Sequence, residues 1–387
     1  MKRILIVISL ILALVTAGCN GSTGTSKADF SRSTYDPRYA SGFEIFSPEN
    51  SDDTVLPSRL ITIRNPWQGA TDIEQHLLIL RGDDARPADF EGQVVKGPIR
   101  RVVCLSSSYV AMYDAVGEAE RVVGVSGIDY ITNPTIQARR KEGKVQDIGF
   151  DANLNFELLA SLDPDLVLLF GITGENSVMT GKLRELGIPY IYIGEYIEQS
   201  PLGKAEWMVL IAELCDKLDE GRSRFEDLAT RYNTLKANFE ADTTFARPRV
   251  MLNTPYRDTW FMPPRDSYMV RLIEDAGGEY IYPENTSGYS KSIDIEEAYL
   301  LATKADVWIN TGTWSSLNDL RQQAPKFERV PAVHSNRVWN NNLRATPQGG
   351  SDFWESGVVH PDLILSDLHR IFEDREEGMT YYRKLNR

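Results

Sequence analysis

The sequence predicts two α/β lobes joined by a single long helix, with a β-rich extension at the N-terminal end. Three observations carry that prediction. Short apolar runs alternate with helical patterns over residues 100–215 and again over 249–374, as in mainly parallel sheets. Two stretches repeat one plan, NFELLASLDPDLVLLFG around Glu157 and DIEEAYLLATKADVWINTG around Glu296. Each has an acidic residue on a helix, an aspartate before a strand and a glycine after it. Between them lies LDEGRSRFEDLATRYNTLKANF, residues 218–239. Its Phe225, Leu228, Ala229, Tyr232, Leu235 and Phe239 recur at helical steps, with Asp219 and Glu220 at the dipole-favoured start.

Residues 1–18 read as an export signal: Lys2 and Arg3, an apolar run over 4–15, then Thr16-Ala17-Gly18. Cys19 directly after them resembles a lipoprotein box, so lipidation of Cys19 is expected, with a plain secreted protein carrying a stray cysteine as the alternative. Residues 19–40 are rich in Ser, Thr, Gly and charge, and read as a flexible lipid-anchored tether. Residues 41–98 hold short apolar runs punctuated by Asn, Asp, Gly and Pro, which gives the β-rich extension. Within it, Trp67 reads as a core plug or as a ligand contact.

The first lobe is expected over 99–217. Its strands are 101–105 (RVVCL), 121–126, 165–170 and 190–194, and its helices follow at 109–116, 155–162, 179–186 and 200–215. Serines 106 to 108 stand where they can cap the first of those helices. The interlobe helix occupies 218–242 and the second lobe 243–387, with strands 249–253, 306–310 and 337–339 and helices 268–276, 295–302 and 361–374.

Composition limits the function. The 387 residues, 42% hydrophobic and 25% charged, suit a globular protein with real cores. Net charge is −13, and loss of Lys2 and Arg3 with a leader makes it two units more negative. Nucleic acid and anionic membranes would repel such a chain. Cys104 and Cys215 can form one disulfide or remain two buried thiols. The four histidines share no metal-ligand spacing, and the sequence contains no G-x-S-x-G, H-E-x-x-H or P-loop pattern, so neither a metal centre nor catalysis is expected and no cofactor is implied.

What remains is a set of aromatics and arginines at predicted strand ends and loops, where α/β sheets place ligand sites. These are Tyr109, Tyr130 and Tyr196 in the first lobe, and Arg257, Trp260, Phe261, Arg265, Tyr289, Trp314, Arg344 and Trp354 in the second. Wide aromatic faces and forked guanidinium donors suit a large amphipathic ligand with oxyanion groups.

Taken together, RVVCLSSSYVAMYDAVGEAERVVGVSGIDY, NFELLASLDPDLVLLF, ELGIPYIYI, SYMVRLIEDAGGEYIYPE, VPAVHSNRVW and GVVHPDLILSDL resemble the helical-backbone class of ABC-transporter substrate-binding proteins, which serves iron–siderophore, haem and cobalamin uptake. The resemblance covers about residues 100–373. It implies a monomer that captures a ferric-siderophore or corrinoid ligand between its lobes, held to the cell envelope by its lipid and facing the periplasm. It also implies an ABC permease that docks on Glu157 and Glu296, with Glu297 the alternative to the latter. Residues 41–90 have no counterpart in the minimal family pattern. An envelope hydrolase, a structural lipoprotein and a sensor subunit are the other readings.

Overall fold

The computed structural model describes residues 29–51, 55–150, 153–172 and 174–386. The signal and Cys19 lie outside them. The chain begins with β1 (Arg32–Tyr35), β2 (Phe43–Ser47), β3 (Arg59–Arg64), β4 (Glu74–Leu80) and β5 (Gln93–Lys96), which pair in that order in one sheet. The β-rich extension is therefore a formed five-stranded sheet. The tether expectation is corrected from Asp29 onward: β1 pairs with β2, and residues 38–40 are hydrogen-bonded into the body. RSTY lacks the apolar alternation that marks a half-buried strand because β1 is a largely exposed edge.

The first lobe runs β6 (Val102–Cys104), α1 (Ser107–Ala115), β7 (Val122–Val125), α2 (Pro134–Lys141), β8 (Gln146–Asp147), α3 (Phe156–Ser161), β9 (Leu166–Leu169), α4 (Ser177–Leu186), β10 (Tyr190–Tyr192) and α5 (Pro201–Leu214). Its five strands are parallel, in the order β10-β9-β6-β7-β8. All but the short edge strand β8 are buried on both faces, which explains runs such as VVC and LVLL without alternation.

A single helix, α6 (Leu218–Ala241), leads into the second lobe, and its 24 residues span about 36 Å. The second lobe contains β11 (Arg249–Leu252), β12 (Thr259–Met262), α7 (Tyr268–Asp275), β13 (Glu279–Tyr280), β14 (Lys291–Asp294), α8 (Ile295–Ala302), β15 (Val307–Ile309), α9 (Leu317–Gln323), α10 (Pro331–His334), β16 (Trp339–Asn340), α11 (Pro361–Phe372) and β17 (Arg383–Lys384). Its parallel sheet has the order β13-β11-β15, and β12 pairs with β14 in a separate antiparallel ribbon. The architecture is thus two α/β lobes on one backbone helix.

The repeated sequence plan has a structural cause. In the first lobe Asp165 Oδ2 accepts the N–H groups of Arg100 and Arg101, at the head of β6. In the second, Asp306 Oδ2 accepts the N–H of Arg249 at the head of β11. Each aspartate thus fixes the start of its lobe's first strand against the neighbouring one. The preceding helices match too: Asn155 caps α3 through Leu158 N–H and Asp294 caps α8 through Glu297 N–H.

Helix α6 packs on α5 of the first lobe and on α7 and α11 of the second. Phe225, Leu228, Ala229 and Tyr232 are its buried stripe. A Cβ on Gly221 would stand 2.3 Å from that of Ala212, so glycine there permits the close α5–α6 crossing. Toward its end Arg231 pairs with Asp362 at 2.8 Å, Lys236 with Asp275 at 2.8 Å, and Phe239 stacks on His369. Cys104 and Cys215 are free and buried, which resolves the cysteine alternatives. Burial pushes both thiols up, Cys215 to about 12, so neither is a reactive thiolate.

The extension is attached to α5 through buried carboxylates. Glu206 accepts the Tyr35 hydroxyl at 2.7 Å and the N–H groups of Arg38, Tyr39 and Ala40 at 2.9, 2.7 and 2.7 Å. Glu198, just before the helix, accepts the N–H groups of Ser41 and Gly42 and the Trp207 indole. At the far end Glu213 meets Arg59 and Arg81. Positions 206 and 213 are two helical turns apart and share one face. That face is the seat of the extension, and α5 is consequently buried along its whole length.

Candidate functional site

A cleft of ≈ 580 Å³ opens between the lobes, within the ordinary range for small-molecule sites. Three parts of the chain wall it. The β3–β4 loop of the extension brings Asn65 to Ala70, the first lobe brings Tyr196 to Gln199 and Lys204, and the second brings residues around Asn253, Tyr268, Asn310 and Trp354. Trp67 is set by a bridge from its backbone to Gly171 and by an edge-on contact with Tyr192, ring centroids 5.3 Å apart. It therefore fills a gap in the first lobe and also faces the cleft. Tyr196 is 50% exposed and Trp354 is 48% exposed, so two wide rings stand open to a ligand from opposite lobes.

The expected ligand residues divide sharply. Tyr196 and Trp354 line the cleft, and Tyr289 is exposed at its mouth, its hydroxyl near Gly69 of the extension loop. Tyr109, Trp260 and Trp314 are corrected to core residues. Tyr109 donates to the carbonyls of Leu169 and Ile193, Trp260 to that of Leu252, and Trp314 to the Gln323 side chain. In β12 the alternation of TWFM turns Trp260 and Met262 inward and Phe261 outward, a period-two signal available in the sequence. Among the described residues the cleft lining contains no arginine. Arg257 lies over the Tyr256 ring in a turn at φ 56°, Arg265 is exposed beside the cleft, and Arg344 is paired with Asp352 at 2.6 Å. Tyr130 is exposed against Phe150, outside the cleft.

Most of the cleft lining was not in the sequence-derived set, Tyr268 and Lys204 among it. Tyr268 and Lys204 face each other, with the Lys204 ammonium 5.4 Å from the Tyr268 ring and 5.8 Å from that of Tyr196. The signal for Lys204 was present: PLGKAEWMVLIAEL carries three charges in a helix otherwise too apolar to face water.

Elsewhere the lobes touch through residues 130–133 and 350–356. Thr132 donates its N–H to Glu355 at 2.8 Å and its hydroxyl to Asp352 at 3.0 Å. A Cβ on Gly350 would lie 2.0 Å from the Tyr130 carbonyl oxygen, so the two backbones are in direct contact. Burial pushes the Glu355 carboxyl up to about 7, with Asp352 adding to the rise and Thr132 opposing it; Arg344 pairs with Asp352, and burial lowers nearby His360. A carboxyl raised in the folded state stabilises most below its ordinary value near 4.5, and that contribution is lost as pH climbs through 7. Glu355→Gln should therefore flatten the stability slope between pH 4.5 and 8, raising the thermal midpoint at pH 8 relative to wild type. Equal slopes for the two proteins would remove Glu355 from the account.

Glu157 and Glu296 are exposed in the first turns of α3 and α8. Glu157 has no ion-pair partner among the described residues, whereas Glu296 meets Lys326 at 2.7 Å and neighbouring Glu297 is unpaired. Among the described residues no group of three or more His, Cys, Asp or Glu is placed to hold a metal ion, and no helix is long and apolar enough to cross a membrane.

Residues 102–340 match the periplasmic binding protein family. An uncharacterized lipoprotein of Methanocaldococcus jannaschii is 27% identical over 289 residues, which is 72% of this chain and 66% of the relative, just under two thirds of its length. The fold is similar to that of a periplasmic heme-binding protein of Pseudomonas aeruginosa, with a TM-score of 0.54 at 17% identity over 73% of this chain and 95% of that one. It is also similar to an Fe3+–Desferal-bound siderophore-binding protein of Vibrio cholerae, with a TM-score of 0.50 at 18% identity over 70% and 99%.

Proposed function

The chain belongs to the periplasmic binding protein family, and from that premise we propose that it captures an iron-siderophore-type chelate in the interlobe cleft and delivers it to an ABC permease. The family is one of binding proteins rather than enzymes, so the work of the site is capture and release. The observation that supports the chelate reading is the pairing of Tyr196 and Trp354 across the cleft, with Trp67 on a third wall. Flat apolar rings with polar edges favour a ligand too large and too amphipathic for a sugar or amino-acid pocket. Haem or a corrinoid is the second reading, favoured by the same rings and by the absence of arginine from the lining. Lipidation of Cys19 would hold the protein at the envelope surface with its cleft facing the periplasm, and the monomer would suffice for binding.

Tryptophan quenching measured with a ferric hydroxamate, a ferric catecholate, haem and cobalamin tests the reading. Saturable quenching by a ferric hydroxamate or catecholate supports it. Quenching by cobalamin alone transfers the assignment to corrinoids, and quenching by none of the four overturns chelate capture.

For docking, the two exposed carboxylates of α3 and α8 suit arginine partners, because rim charges set orientation and encounter more than affinity. Replacing Glu157, Glu296 and Glu297 together by alanine should abolish co-purification with a two-membrane-domain permease while leaving chelate quenching within about twofold. Retained co-purification would place docking elsewhere. The three residues are exposed, so their loss costs little stability.

A further inference from the structure

The charges that face the cleft are few. Among its lining residues Lys204 is the one base and Glu198 the one acid. Glu198 is committed to the extension, through Ser41, Gly42 and Trp207. Lys204 has no such commitment. It is 8% exposed, it is in ion-pair contact with no described carboxylate although Glu195 and Glu198 act on it from further off, and its ammonium lies over the faces of Tyr196 and Tyr268.

Its position adds to the imbalance. Lys204 stands in the first turn of the 14-residue helix α5, where the macrodipole is positive and disfavours a cation. Burial pulls its ammonium below the usual lysine range, and the neighbouring Glu195 and then Glu198 pull it back. Behind it, Glu195 accepts the Ser108 hydroxyl with one oxygen and leaves the other, buried, without a hydrogen bond, while its carboxylate attracts the Lys204 ammonium. A desolvated ammonium with aromatic faces and no carboxylate in contact is stabilised by an anion that enters with the ligand.

We propose that Lys204 is the anchor for a single oxyanion, a carboxylate on an otherwise weakly charged chelate, and that this selects the ligand. The inference rests on the chelate-capture reading above. It also narrows that reading. A triply anionic catecholate complex would bring two further charges into a cleft whose lining offers no other cation and one glutamate, so it should be rejected. A chelate with one acidic arm and an apolar face meets the ammonium with its arm and Trp67, Tyr196 and Trp354 with its face.

Two matched pairs of probes test this by tryptophan quenching: haem against its dimethyl ester, and a ferric trihydroxamate capped at its free amine with acetyl (neutral) or succinyl (carboxylate). In the pair that binds, the acid form should bind about tenfold tighter or more, as for a desolvated charge-assisted hydrogen bond. Lys204→Met, which keeps the apolar stem, should bring the ratio to about one with the neutral form changed by less than about threefold, and Lys204→Arg should retain a clear preference for the acid. Trp67→Ala should weaken acid and neutral forms alike. An acid-to-neutral ratio untouched by Lys204→Met, or a preference for the neutral form in wild type, overturns the anchor while leaving chelate capture standing. No quenching by any of the four probes overturns the anchor, and chelate capture falls with it when a ferric catecholate also fails to quench.

Discussion

Ala229→Pro should separate the two lobes in function while leaving each recognisable as a fold. Ala229 sits at the middle of α6, 1% exposed within the stripe that also holds Phe225, Leu228 and Tyr232. Proline there removes the N–H that bonds the Phe225 carbonyl and drives its ring into that carbonyl, at a cost of about 3 kcal/mol or more. The first half of the helix is fixed to the first lobe by its crossing with α5 and by Arg224 on the Ala115 carbonyl. The last half is held to the second lobe through Tyr232 on Asp275 at 2.7 Å, Lys236 on Asp275 and Arg231 on Asp362. A kink between these anchor groups therefore cannot be absorbed locally; it reappears as rotation of one lobe against the other. The expected results are a thermal midpoint lower by about 5 °C or more, a larger radius of gyration in small-angle scattering, and loss of chelate quenching and permease docking together. Unchanged scattering with docking intact would show that the contacts of residues 130–133 with 350–356 are enough to align the lobes without a straight α6.

The elements that were legible in the sequence are those whose reason to exist is local. The stripe of α6 shows helical spacing, and the doubly buried strands β6 and β9 show unbroken apolar runs. Asp165 and Asp306 could be read as a repeat because each acts on a strand head through its lobe's own sheet. The aromatics were misassigned where inward and outward directions depend on a distant partner. Trp260 packs on Trp308 and Phe327, and Trp314 also packs on Trp308; no spacing near position 314 announces that cluster. The seat of β1 was invisible for the same reason. Its anchor is a carboxylate that accepts backbone N–H groups 166 to 168 positions away, and backbone donors leave no mark on composition. The ligand site sits between these cases. Tyr196 and Trp354 stand on loops that face outward, whereas Lys204 looks like one charge on a helix until every face of that helix is seen to be covered.

The same buried helix yields the second large effect, because Glu206→Ala should release the N-terminal strap and with it one wall of the cleft. The carboxylate is 1% exposed and accepts four donors, three of them backbone N–H groups in a row. Removing one acceptor leaves all four without a partner, and each buried unsatisfied donor costs about 1–3 kcal/mol, less where water can enter. A loss of roughly 3–5 kcal/mol in the attachment of this segment follows. Tyr35 reinforces the argument: burial and then the Glu206 carboxylate hold its hydroxyl protonated far above the usual tyrosine range, so it remains a donor to that carboxylate at every working pH. Glu206→Gln should be milder, since its amide oxygen still accepts while its NH2 group opposes the remaining N–H groups. Release at residues 38–40 should propagate, because the strap continues into Ser41 and Gly42 on Glu198 and then into β2, which pairs with β3, whose end carries the Trp67 loop. Limited proteolysis should cut Glu206→Ala between residues 29 and 42 under conditions that spare wild type, and its ligand affinity should fall along with that of Trp67→Ala. If the strap is cut while affinity holds, the wall formed by Trp67 is fixed by Gly171 and Tyr192 alone, and the extension serves stability rather than recognition.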